Sequence, residues 1–143
     1  MEGECVPVDV TKGILLPFQE VSHRRRKHGL DDAVKDYPVT AFLFDCIYLD
    51  GTDMTTLPYL ERRSALSRAF ELMDGLQLSE MKVVGNSEEA VDFFQKALES
   101  GCEGIMAKSL DDASGYRAGA RGFHWIKFKK DYQSDLTDTM DLV

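Results

Sequence analysis

A chain of 143 residues, 43% apolar and 10% aromatic, carries enough material for one domain with a sizeable core, which excludes disorder as a whole-chain description. Its 17 basic and 25 acidic residues leave a net charge of −8, which argues against a nucleic-acid partner unless positive charge is gathered locally. It is gathered at Arg24, Arg25, Arg26 and Lys27, at Arg62 and Arg63, and from Lys127 to Lys130, while the last thirteen residues hold four aspartates and no base. With no run of about 18 apolar residues and no basic-then-apolar leader, neither a membrane partner nor secretion is expected, and the cytoplasm (or a eukaryotic nucleus) is the expected location. Cys5, Cys46 and Cys102 lie far apart in apolar runs and read as buried thiols in a reducing compartment; the three histidines show no metal-ligand spacing.

Residues 4–10 alternate loosely and predict a strand, followed by a Gly-containing turn over 11–17. Pro17 suits the first turn of a helix carrying Phe18, Val21 and the arginine cluster, and a short helix is expected over 30–35. The run 39–49 is almost wholly apolar, rich in β-formers and closed by Asp50-Gly51, the pattern of a central strand buried on both faces. In it Asp45 shares a face with Leu43 and Ile47 and therefore requires a buried partner. Over 59–73, Leu66, Ala69, Phe70 and Met73 have the spacing of one helical face, with Arg62, Arg63 and Arg68 expected in solvent. A strand is expected over 78–84. Asn86 with Glu89 predicts a capped helix that buries Ala90, Val91, Phe93, Phe94, Ala97 and Leu98 and stops at Gly101. Strands are expected again over 104–109 and 123–129, joined by a loop containing Tyr116, Arg117 and Arg121. Interleaved strands and helices of this kind define an α+β or α/β sheet domain.

The chemistry concentrates in Glu103-Gly-Ile-Met-Ala-Lys108 and Trp125-Ile-Lys-Phe-Lys-Lys130, where lysines interrupt apolar strands. Ammonium groups against low-dielectric surroundings need anions, so converging strands of this type suit a polyanion such as a triphosphate. Alternation places Trp125, Lys127 and Lys129 on one side of their strand. The same parity separates Glu103 from Lys108 unless Glu103 stands at the strand entrance or a bulge intervenes.

These two segments resemble the last two nucleotidyltransferase motifs of ATP-dependent DNA ligases of archaeal and eukaryotic type. Phe42-Leu-Phe-Asp-Cys-Ile-Tyr-Leu-Asp-Gly51 is similar to the family's middle motif, and Glu2-Gly-Glu4 to the segment after its nucleophile motif. Leu16-Pro-Phe-Gln19 with Arg24 to Lys27 resembles the connection between them, and Asp138-Thr-Met-Asp-Leu-Val143 the start of the following oligonucleotide-binding-fold domain. The resemblance implies an α+β fold, part of an ATP-grasp-like adenylation domain with a mixed, mainly antiparallel sheet and flanking helices. It assigns residues 1–132 to that domain and 133–143 to the linker and start of the next.

By the same resemblance, Glu4 accepts from the nucleotide ribose, Phe44 stacks on adenine, Glu103 is linked to Mg²⁺, and Lys108, Lys127 and Lys129 bind the phosphates of ATP. Trp125 packs beside them. Arg24, Arg25, Arg26, Arg117 and Arg121 are candidates for contacts to the phosphates of nicked duplex DNA, which are independent of base sequence. The implied reaction proceeds through lysyl-AMP and DNA-adenylate. Yet the family's Lys-x-Asp-Gly nucleophile motif is absent here: Asp50-Gly51 follows Tyr48-Leu49 and Asp74-Gly75 follows Leu72-Met73. The expectation is a C-terminal portion of an adenylation domain that cannot adenylate itself and that self-associates through an exposed sheet edge. An RNA ligase or capping-type nucleotidyltransferase fragment and a non-catalytic nucleic-acid-binding module are the alternatives; residues 16–19 and 138–143 favour DNA ligase.

Overall fold

The computed structural model describes residues 1–17, 19–20, 38–71, 73–111, 114–119 and 122–130. Expectations for the helices near Pro17 and over 30–35, for Arg24, Arg25, Arg26 and Arg121, and for 133–143 fall outside the described residues. The chain divides into two units, Met1–Glu80 with Ser109–Ala120, and Met81–Lys108 with Arg121–Val143.

In the first unit, β1 (Glu2–Asp9) turns back through Gly13 into β2 (Ile14–Leu15). The Asp9 carboxylate organises this turn by accepting from the Thr11 amide and hydroxyl and the Lys12 amide, bonds that hold its pKa below the usual value. β1 then pairs antiparallel with β3 (Val39–Asp45), which pairs parallel with β6 (Leu76–Leu78), giving the order β2-β1-β3-β6. The class is therefore α+β with a mixed, mainly antiparallel sheet. β3 is central, as its apolar composition predicts, but it ends at Asp45 and most of its residues are only half-buried. Residues 48–49 instead form β4 (Tyr48–Leu49), which turns through Asp50-Gly51 into β5 (Thr52–Asp53). Positive φ at both turn residues, 48° and 84°, fits a two-residue type I′ hairpin.

Helix α1 (Tyr59–Ala69) packs on β3 through Tyr59, Arg62, Arg63, Ala65 and Leu66. This corrects the sequence reading: Arg62 and Arg63 are buried, whereas Ala69 and Met73 are exposed. Positions 59, 62, 63 and 66 do form one helical stripe, but two of its four members are arginines, so a search for apolar periodicity chooses the wrong face. The small core beneath consists of Cys46, Met54, Ala65 and Leu66, flanked by Leu43, Leu49, Leu57 and Leu78. Of the cysteines only Cys46 is fully buried, and Cys5 is exposed, contrary to expectation.

The second unit holds α2 (Ser87–Glu99) and an antiparallel ribbon of β7 (Gly104–Lys108) and β8 (Trp125–Lys129). The strand expected over 78–84 is confined to β6 in the first unit, and residues 79–84 join no ladder. Asn86 caps α2 as expected, its Oδ1 accepting the Glu89 amide at 2.9 Å. At the other end the Cys102 amide bonds the Ala97 carbonyl and the Gly101 amide the Leu98 carbonyl, the pair of bonds that defines a Schellman stop. Phe94 is buried and Ala90, Phe93, Ala97 and Leu98 half-buried, while Val91 faces solvent. α2 packs on β7, so its termination fixes where Glu103 enters the ribbon.

Candidate functional site

The candidate residues fall into two groups, one in each unit. In the first unit, Glu4 lies opposite Phe42 in the β1–β3 ladder, and Phe44 is two residues further along β3. Cross-strand partners share a face and alternate residues return to it, so Glu4, Phe42 and Phe44 stand on one side of the sheet. Leu43 and Asp45 occupy the other, against α1. Glu4 is exposed and Phe44 half-buried. The ladder shifts register between Glu2 and Gly3, and a Cβ on Gly3 would come within 2.8 Å of the Phe42 carbonyl oxygen. Glycine at this place lets the two strands approach beside Glu4.

Behind that face, Asp45 and Arg62 form an ion pair in which both side chains are 0% exposed. Arg62 Nε donates to Asp45 Oδ1 at 2.8 Å and a terminal nitrogen to Oδ2 at 2.9 Å, the bidentate geometry that suits guanidinium and carboxylate. The remaining terminal nitrogen donates to the Leu57 carbonyl, and Asp45 Oδ1 also accepts the Cys46 amide. The guanidinium carbon lies 5.7 Å from the Tyr59 ring centroid and 5.9 Å from that of Tyr116. Tyr116 donates a short hydrogen bond to the Glu2 carboxylate, which pushes its pKa up to about 12. Arg63 donates to the Leu43 carbonyl at 3.0 Å and to both the hydroxyl and the carbonyl of Ser79. Among the described residues no buried side-chain polar atom lacks a partner. The requirement that Asp45 find a partner is met, by a residue that the sequence places in solvent.

In the second unit the ribbon register pairs Gly104 with Lys129, Met106 with Lys127 and Lys108 with Trp125. Lys108, Lys127, Lys129 and Trp125 therefore share one face. The Lys108 ammonium sits 4.1 Å from the Trp125 ring centroid, within cation–π range. Glu103 precedes β7, its carbonyl accepting the Lys130 amide, and from this entrance its carboxylate comes within 3.9 Å of Lys129 Nζ. Entry position thus brings Glu103 to the Lys129 end of the lysine-bearing face, while Lys108 stands opposite Trp125 at the other end of the ladder. The strand can begin there because residue 104 is glycine: a Cβ would meet the Phe128 carbonyl oxygen at 1.9 Å. Lys127 is exposed and Lys108 and Lys129 half-buried, so the low-dielectric argument for the lysines does not describe Lys127. Arg117 is exposed in the first unit. An open groove of about 410 Å³ lined by Met54, Leu57, Leu60, Glu61, Ser64 and Arg68 contains none of these residues.

One unit thus offers a sheet face with an acid and an aromatic, and the other a ribbon face with three lysines beside a carboxylate. The family model described as ATP dependent DNA ligase domain matches residues 1–129, and the chain belongs to this family. It is 46% identical over 144 residues to "DNA ligase 2" of Thermofilum pendens and 48% identical over 143 residues to "Probable DNA ligase" of Aquifex aeolicus. These matches take in 100% of the chain but 24% of each relative, so the chain spans about a quarter of their length. Among solved structures, "mycobacterial DNA ligase D complexed with ATP and MES" matches with a TM-score of 0.61 and 28% identity, over 90% of this chain and 36% of that one.

Proposed function

We propose that the chain is the portion of an ATP-dependent DNA ligase that holds the nucleotide while nicks in duplex DNA are sealed. The observation that supports this best is the single face shared by Lys108, Lys127 and Lys129, with Glu103 at its edge. In this reading Phe44 stacks on adenine and Glu4 accepts from the ribose. The three ammonium groups offset charge on the phosphates as it develops during transfer. Arg117, with Arg24, Arg25, Arg26 and Arg121, contacts DNA phosphates.

The nucleophile is a lysine of a Lys-x-Asp-Gly motif supplied from outside these residues. Its amine attacks the α-phosphate of ATP and expels pyrophosphate; AMP passes to the 5′-phosphate at the nick; the 3′-hydroxyl then displaces AMP to join the strands. Glu103 is a lone carboxylate, and among the described residues no three His, Cys, Asp or Glu side chains cluster. A lone carboxylate fits Mg²⁺, which typically binds one or two carboxylates together with substrate phosphate oxygens. Bound there, the metal would neutralise phosphate charge. Glu103 would then exchange its distant contact with Lys129 for the ion, releasing that lysine to the phosphates.

Labelled ATP with Mg²⁺ tests the reading. The chain alone is expected to remain unlabelled, and a longer polypeptide in which a Lys-x-Asp-Gly segment precedes it is expected to take up label covalently. Lys127→Ala in that polypeptide should abolish most of the labelling. Near-normal labelling in the variant would overturn the phosphate role, and labelling of the chain alone would overturn the account of the nucleophile. Self-association through an exposed sheet edge is part of the same proposal; a monomer by sedimentation at all concentrations would count against it.

A further inference from the structure

Three side chains of α1 grip three consecutive residues of β3. Arg63 donates to the Leu43 carbonyl, the Tyr59 hydroxyl donates to the Phe44 carbonyl at 3.4 Å, and Arg62 holds the Asp45 carboxylate through two nitrogens. Phe44 is thus fixed at its own carbonyl and on both sides, from the face of the sheet opposite to its ring. We infer that Tyr59, Arg62 and Arg63 are positioning residues that set the orientation of the Phe44 ring, an inference that rests on the nucleobase role proposed above.

Two buried arginines are a poor way to fill a core. Apolar residues of similar volume often stabilise as well as a buried ion pair or better, so the pair is weak evidence of stabilisation. What apolar residues cannot supply is direction. Leu66, also on α1, packs without specifying the twist of β3, whereas a guanidinium on a carbonyl or carboxylate fixes both distance and angle. The clamp also reaches beyond β3: Arg63 bonds Ser79, just past β6, and Arg62 lies against Tyr116, which bonds Glu2. Both strands that flank β3 are therefore referenced to the same helix. An aromatic platform held this way meets its ligand without first losing conformational freedom, the advantage of preorganisation.

Fluorine NMR of the 143-residue chain, its eight phenylalanines replaced by 4-fluorophenylalanine, reads the ring directly. Loss of one line in Phe44→Leu assigns it. In Tyr59→Phe and in Arg63→Met the Phe44 line should shift or split, while the line of Phe94, buried in the other unit, stays in place. Leu66→Val, which loosens the same helix without touching a hydrogen bond to β3, should leave the Phe44 line where it was. A Phe44 line unmoved in Tyr59→Phe, or moved equally by Leu66→Val, overturns the inference. In the labelled chain Tyr59→Phe exchanges one hydroxyl for a fluorine, which cannot donate to the Phe44 carbonyl, and adds a ninth line that Phe44→Leu leaves in place; this outcome can therefore be read even if Arg63→Met fails to fold. ATP added to the unsubstituted chain reads the underlying role separately. A Phe44 line that responds to Tyr59→Phe but not to saturating ATP sinks the nucleobase role and leaves the clamp standing.

Discussion

The two units treat positive charge in opposite ways. In the first, Arg62 and Arg63 are buried, and carboxylate and carbonyl groups hold them at hydrogen-bonding distance. In the second, the ribbon lysines are exposed or half-buried, and the contacts at Lys108 and Lys129 include an aromatic face and a carboxylate 3.9 Å away. A cation that is fully paired and dry cannot leave without a large penalty, so it serves to fix geometry. A cation at the surface with a loose partner can exchange that partner for a ligand at little cost. Burial and pairing thus separate the two arginines of α1 from the exposed or half-buried lysines of the ribbon, although all carry the same charge.

The contrast breaks most visibly at Asp45. Asp45→Ala leaves the Arg62 guanidinium buried without its anion and should cost about 3–5 kcal/mol in urea unfolding, against less than about 0.5 kcal/mol for Lys127→Met at the surface. Equal effects would erase the distinction. Gly104→Ala should cost about 1–3 kcal/mol through overpacking against the Phe128 carbonyl, and amide exchange should show the loss centred on the ribbon. Within the ribbon, a double-mutant cycle of Lys108→Met with Trp125→Leu should give a coupling of about 0.5–1 kcal/mol. Zero coupling would mean that Trp125 merely adjoins the lysine. Glu103→Gln should change stability by a few tenths of a kcal/mol, less still in high salt, because an exposed pair is weak and screened.

Smallest in ordinary buffers is the effect of Tyr116. Its hydrogen bond to Glu2 raises its pKa from 10.0 to about 12, so the stability it contributes is intact below pH 10 and is lost as pH rises through about 12. Burial raises the Tyr59 hydroxyl in the same direction. Unfolding measured from pH 8 to 12 should fall more steeply for the parent than for Tyr116→Phe; identical slopes would remove Tyr116 from the network.

Local rules written in side-chain chemistry were legible. Asn86 with Glu89, Gly101, and Asp50-Gly51 each carry their structural meaning within a few residues, and the observed caps and turn match them. The apolar run ending at Leu49 does not reveal where its strand stops, because composition identifies β-formers but not the bend after Asp45 that transfers its end to another hairpin. On α1 the error has one cause: periodicity counts arginine as polar, and only the tertiary demand of Asp45 makes Arg62 a core residue. That demand was itself visible in the sequence. A buried aspartate together with two arginines three and four residues after Tyr59, and ahead of Leu66, would have found the clamp. The common face of the three lysines also required the ladder register, which sequence parity within one strand cannot supply.

The strap Ser109–Ala120 belongs to the first unit although both ribbon strands around it belong to the second, so the backbone passes between units three times. During vectorial synthesis, Tyr116, whose amide bonds the Thr55 carbonyl and whose ring stands over Arg62, emerges only after α2 and β7. The N-terminal sheet therefore cannot complete the surroundings of its buried guanidinium before most of the other unit has been made. Completion of the surroundings of Arg62 thus waits on α2 and β7 of the other unit by the order of the chain itself.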